Sequence, residues 1–141
     1  MEGQKVLIIR VDGSSHAQFV RDWLSKAGYE TWLADQGEKT TNGTGYRTMI
    51  LNVIPNLVIL DWGLQTTQGL QIIRTIREDD RKERLPILVI GTEMGEEDVL
   101  ASLEAGADIC LTESLHPKVF VARVHSILRR NTANNVPKDL S

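Results

Sequence analysis

The stretch Pro55 to Arg74, PNLVILDWGLQTTQGLQIIR, decides how this chain is read. Leu57 to Leu60 is an unbroken apolar run with the length of a strand buried on both faces, and it stops abruptly at Asp61. Shortly afterwards Ile73 and Ile76 mark the inner stripe of an amphipathic helix. In parallel α/β folds ligands and chemistry gather where strands end and helices begin, so Asp61 is the first candidate for a functional side chain.

The same alternation extends in both directions. Val6 to Ile9 and Ile87 to Ile90 are further four-residue apolar runs, and Glu30 to Ala34 and Asp108 to Leu111 read as less apolar strands. Between them lie helical stripes: Val20, Trp23, Leu24 and Ala27, then Tyr46, Met49, Ile50 and Val53, and near the end Phe120, Val124 and Ile127. Glu96, Glu97 and Asp98 suit the positive end of a fourth helix, and Pro117 suits the first turn of a fifth. Gln36 to Gly45, with its glycines and threonines, reads as a loop, and Ser14 and Ser15 read as caps of the first helix. Five βα units in one chain predict a doubly wound parallel sheet.

With 141 residues, 41% of them apolar, the chain suits one domain with a sizeable core and has no room for a second. A net charge of -3 argues against a general nucleic-acid binder, so no nucleic-acid partner is expected for this chain itself. Cys110 is the single cysteine, which excludes an internal disulfide, and His16, His116 and His125 lack zinc-ligand spacing. No apolar run reaches membrane-spanning length, and a cytoplasmic protein with no membrane partner is expected. Asn131 to Ser141, NTANNVPKDLS, reads as a polar tail or the start of a linker, which leaves residues 1–130 as the folded unit.

In order and spacing, KVLII, AGYETWLADQG, PNLVILD with GLQIIR, LPILVI and LEAGADICLT resemble the receiver domain of bacterial two-component response regulators. ARVHSILRR is similar to the last receiver helix of the winged-helix transcription-factor class. The resemblance implies a flavodoxin-like (βα)5 fold with strand order 2-1-3-4-5, and it places Asp61 where the family accepts a phosphoryl group from a histidine kinase. It also implies a homodimer through the face of helix 4, strand 5 and helix 5, with Asp98, Asp108 and Arg123 as candidate contacts. A DNA-binding effector domain would lie outside this chain.

The pocket departs from the family pattern. Arg10 and Val11 stand where the resemblance expects two metal-binding acids, with Asp12 one place late; Gly91 stands at the hydroxyl position, with Thr92 one place beyond. Glu113 replaces the family's lysine. A guanidinium set between two carboxylates would stand in for the metal through charge-assisted hydrogen bonds, so Arg10, Asp12, Asp61 and Glu113 are read as a pocket charge cluster. The plainer alternative leaves Arg10 pointing outward, Glu113 solvated and Asp61 idle.

These residues predict a degenerate receiver, not an enzyme, that acts by protein–protein interaction or dimerisation and has no cofactor. The competing reading is a phosphorylatable receiver in which Asp12, Asp61 and the Gly63 backbone hold Mg2+, Thr92 supplies the hydroxyl, and a histidine kinase is the partner. A third reading treats VDGSSH as the phosphate loop of a flavodoxin-like cofactor binder, although its serines explain themselves as helix caps. Trp62 covers the pocket mouth or packs on a neighbouring loop, and Cys110 reads as an inert thiol near the outer edge of the fifth strand.

Overall fold

The structure is a computed structural model that describes residues 4–11, 16–35, 45–62, 66–79, 85–91, 93–113 and 115–134. Its elements alternate as expected: β1 (Lys5–Arg10), α1 (Ala17–Lys26), β2 (Glu30–Asp35), α2 (Tyr46–Val53), β3 (Leu57–Asp61), α3 (Thr66–Asp79), β4 (Ile87–Ile90), α4 (Glu96–Ala105), β5 (Ile109–Leu111) and α5 (Pro117–Asn134). The five strands form one sheet in the order β2-β1-β3-β4-β5, and every pairing is parallel.

The pleat sorts the apolar runs into two layers. Val6 and Ile8 of β1 and Leu57 and Ile59 of β3 join Val20, Leu24, Phe120 and Val124 of α1 and α5. Leu7, Ile9, Val58 and Leu60, the alternate residues, join Ile72, Ile73 and Ile76 of α3 on the opposite face, where Tyr46 and Met49 of α2 also pack. Both layers are needed because β1, β3 and β4 are flanked by strands and covered on both faces; the four residues of each apolar run are fully or almost fully buried. Trp23 meets Phe120 edge-on at 5.9 Å, and the Tyr29 hydroxyl bonds His125 Nδ1, tying the start of β2 to α5.

Several helix boundaries follow the sequence signals and others move. The acidic triplet Glu96, Glu97 and Asp98 does form the first turn of α4, and Pro117 opens α5. The N-cap of α1 is His16, which makes no side-chain capping bond, so neither Ser14 nor Ser15 fills that position; both serines lie outside the described residues. The last helix continues through Asn134, four residues into the stretch expected to be tail. Asn131 and Asn134 lack apolar content, but nothing between Arg130 and Asn134 breaks a helix, since Pro137 comes later.

Candidate functional site: the carboxyl edge of the sheet

Register brings the candidate residues together before any side chain is considered. Arg10 and Asp61, the last residues of β1 and β3, are direct register partners, and Asp61 in turn pairs with Ile90, whose neighbour on β5 is Leu111. Beyond the strand ends the ladder continues: Val11 N–H donates to the Asp61 carbonyl (3.1 Å), Trp62 N–H to the Ile90 carbonyl (2.8 Å) and Gly91 N–H to the Leu111 carbonyl (3.0 Å). The pleat alternation that sends Ile9 and Leu60 toward α3 sends Arg10 and Asp61 toward α1 and α5. A cation and an anion therefore share one face on adjacent strands.

Asp61 is wholly buried. A carboxylate with no access to water needs hydrogen-bond donors or a cation to offset its lost hydration. His16 supplies one donor: its backbone N–H reaches Asp61 Oδ2 at 2.9 Å. The imidazole lies over the other oxygen, with Nδ1 3.6 Å from Oδ1 and the ring 30% exposed. The N-terminus of α1 adds the positive end of a helix to this environment. Arg10 and Asp61 each take part in further interactions. The imidazole contact was not legible as a site in the sequence, where His16 registers only as a histidine without zinc-ligand spacing.

Trp62 packs inward and does not lie across the pocket mouth. It is 6% exposed, within the α3-side layer, and its ring presses on Gly69 of α3: a methyl added at Gly69 would fall 2.6 Å from the indole. Gly91 is similarly crowded, since a Cβ there would stand 2.7 Å from Met94 and 3.0 Å from the Trp62 Cβ. The family's hydroxyl position thus holds a glycine in a space that Trp62 and Met94 already fill.

The remaining predicted residues are spread more widely. Asp12, Gly63 and Thr92 lie outside the described residues. Glu113 is exposed just past β5, and with Thr112, Leu115, His116, Val119 and Arg123 it lines a groove of about 420 Å³ beside α5. Asp98 is half-buried in the first turn of α4. Asp108 belongs to the opposite end of the sheet, where it accepts from Arg77 Nη2 (2.9 Å) and from the Ile87 N–H (2.8 Å). Asp108, a candidate contact of the dimer face, is bridged within the chain by Arg77 of α3. Cys110 is half-buried against Met94, its Sγ 3.6 Å from the thioether; burial pushes its pKa up, a Ser102 hydrogen bond opposes this, and the Asp98 charge adds to it. These shifts keep the thiol protonated and slow to react. Among the described residues no group of three or more His, Cys, Asp or Glu side chains stands together as a metal site.

The order of strands and the acid at the end of β3 match one family. Residues 6–125 match the family model of the response regulator receiver domain. The chain belongs to the response regulator receiver family. This receiver is 29% identical over 130 residues to the phosphate regulon transcriptional regulatory protein PhoB of Pseudomonas aeruginosa, covering 92% of this chain and 54% of that protein. It is 27% identical over 126 residues to chemotaxis protein CheY1 of Helicobacter pylori, covering 89% of this chain and 98% of that one. The chain spans about half the length of PhoB and nearly all of CheY1. Among solved structures it superposes on a CheY-like receiver domain protein of Methanospirillum hungatei with a TM-score of 0.73 at 20% identity, covering 94% of this chain and all of that one. That likeness establishes the flavodoxin-like receiver fold. As a receiver, the chain is a signalling domain of two-component systems, a family whose members interact with histidine kinases and effectors.

Proposed function

We propose that this receiver is degenerate: it signals through protein contacts and does not depend on Mg2+-assisted phosphorylation of Asp61. The observation that carries this reading is the pairing of Arg10 with Asp61 at the sheet edge, on one pleat face, with the carboxylate wholly buried. Mg2+ needs near-octahedral oxygen coordination and usually takes one or two protein carboxylates with waters. A guanidinium on the adjacent strand repels such an ion and supplies in its place the positive charge that Asp61 requires. Glu113, exposed where an ordinary receiver has lysine, offers a phosphoryl group repulsion instead of neutralisation. Arg10 and Asp61, with Glu113 exposed past β5 and Asp12 two places after Arg10 in the sequence, are the charged residues of this reading, and no cofactor enters it.

The partner is a second copy of the chain, docked through α4, β5 and α5. Leu100 and Leu103 on α4 are 59% and 41% exposed and Val119 on α5 is 51% exposed, an apolar set on the two helices that flank the edge strand. Asp98 on α4 and Arg123 on α5 supply opposite charges for an isologous contact. The likeness to PhoB supports a role in transcription control through an effector domain beyond this chain.

Nuclear magnetic resonance spectra with and without Mg2+ and beryllofluoride, beside the mass in solution, test both parts. The expected result is an unchanged spectrum around Asp61 and the mass of a dimer. Shifts clustered at Asp61 would restore the phosphorylatable reading, and a monomer at high concentration would remove the dimer.

A further inference from the structure

We propose that the His16 side chain is a fixed cover over Asp61 that denies reagents access to the carboxylate. The proposal rests on the degenerate reading above and names the residue that enforces it. Three observations converge on it. Asp61 is at the carboxyl edge of the sheet, where side chains ordinarily meet solvent, yet its exposure is zero. Both of its oxygens face one residue, Oδ2 at the His16 backbone N–H and Oδ1 at the imidazole. The imidazole itself is 30% exposed while it touches the buried Oδ1.

The backbone and side chain of His16 have separate jobs. The N–H bond at 2.9 Å compensates the buried charge and survives any substitution that keeps the backbone in place. The ring nitrogen, at 3.6 Å, is beyond hydrogen-bond range and in van der Waals contact. The ring therefore acts by occupying space. His16 also makes no side-chain cap for α1, so helix capping does not explain why this residue is a histidine. Phosphoryl transfer to a carboxylate requires donor and acceptor atoms to approach within roughly 3–3.5 Å along one line, and the ring fills that approach.

Two variants separate cover from fold. His16→Ser removes the ring and gives α1 a favoured N-cap, whereas His16→Phe keeps a ring of similar breadth without a nitrogen. Each full-length variant is treated with a water-soluble carbodiimide and an amine, and amide formation at Asp61 is read by peptide mass spectrometry alongside a melting curve. His16→Ser should raise the Asp61 labelling rate by about tenfold or more, equivalent to lowering the opening cost by about 1.4 kcal/mol. His16→Phe should label like the wild type. Equal labelling of wild type and His16→Ser, with melting unchanged, would overturn the cover and leave the degenerate reading standing. The same proteins treated with phosphoramidate and Mg2+ decide that reading: a phosphoryl group on wild-type Asp61 would overturn both the degenerate reading and the cover, whereas equal carbodiimide labelling with no phosphoryl group overturns the cover alone.

Discussion

Asp61 and Asp108 sit at opposite ends of one sheet and are held in opposite ways. Asp108, at the amino end, meets a guanidinium that also holds two carbonyls: Arg77 reaches the Asp108 carboxylate at 2.9 Å, the Gly106 carbonyl at 2.9 Å and the Leu85 carbonyl at 2.7 Å. Those contacts tie α3 to the approach to β4 and to the turn between α4 and β5. Asp61, at the carboxyl end, is more deeply buried and accepts a backbone N–H at the start of α1, with Arg10 as its register partner on the neighbouring strand. A three-point fork with its carboxylate at one tip fastens elements together, whereas Asp61 is held by the backbone at the start of a single helix. The difference separates an acid kept for stability from an acid that marks the family's reaction position.

The sharpest way to break this contrast is at Arg77. Arg77→Ala strands two carbonyls and a carboxylate whose side chain is only 30% exposed, and should cost about 2–4 kcal/mol in urea unfolding. Arg77→Lys keeps the charge but cannot span three acceptors, so it should recover only part of that loss. If Arg77→Ala stayed within about 0.5 kcal/mol of the wild type, the amino-end fork would be an ordinary surface contact and the comparison would fail.

At the carboxyl end the corresponding test is Gly69→Ala. Alanine in place of glycine within an exposed helix would stabilise by about 1 kcal/mol, yet here the new methyl would stand 2.6 Å from the Trp62 ring. The expected outcome has the reverse sign, a loss of about 1–3 kcal/mol with a changed near-ultraviolet spectrum from the displaced indole. A stabilised Gly69→Ala would mean that Trp62 is not wedged behind Asp61.

Much of this was legible from the chain alone because it depends on local pattern. The apolar runs at Val6, Leu57 and Ile87, the acid at the end of PNLVILD, and the acidic first turn of α4 each have one structural reading, and parallel strands follow from the helices between them. The supports of the two acids were not legible. His16 and Asp61 are 45 residues apart and Arg77 and Asp108 are 31 apart, and the fork's other acceptors are backbone carbonyls, which have no sequence signature. Asp108 therefore reads in the sequence as a candidate dimer contact, while its bridge to Arg77 of α3 carries no sequence signal. The indole's position was equally hidden, since it depends on Gly69 lacking a side chain.

Ile54 tests the amino end in the stabilising direction, and with the smallest effect. It closes α2 with φ 54° and ψ 65°, the left-handed region, which costs a β-branched residue about 1–2 kcal/mol. Its N–H still reaches the Ile50 carbonyl at 3.0 Å, so the helix end is satisfied and the strain is confined to the backbone of one residue. The side chain is 73% exposed, and removing it gives up little packing. Ile54→Gly should relieve the strain, lose part of that gain to greater freedom of the unfolded chain, and raise stability by a net of about 0.5–1 kcal/mol. Asn, the other residue suited to this conformation, should give a smaller gain of the same sign. A loss of stability in both variants would show that the Ile54 side chain makes contacts in solution worth more than its strain. The neighbouring Leu51, 76% exposed, would then share that covered surface, and the amino end would be more than a stapled scaffold.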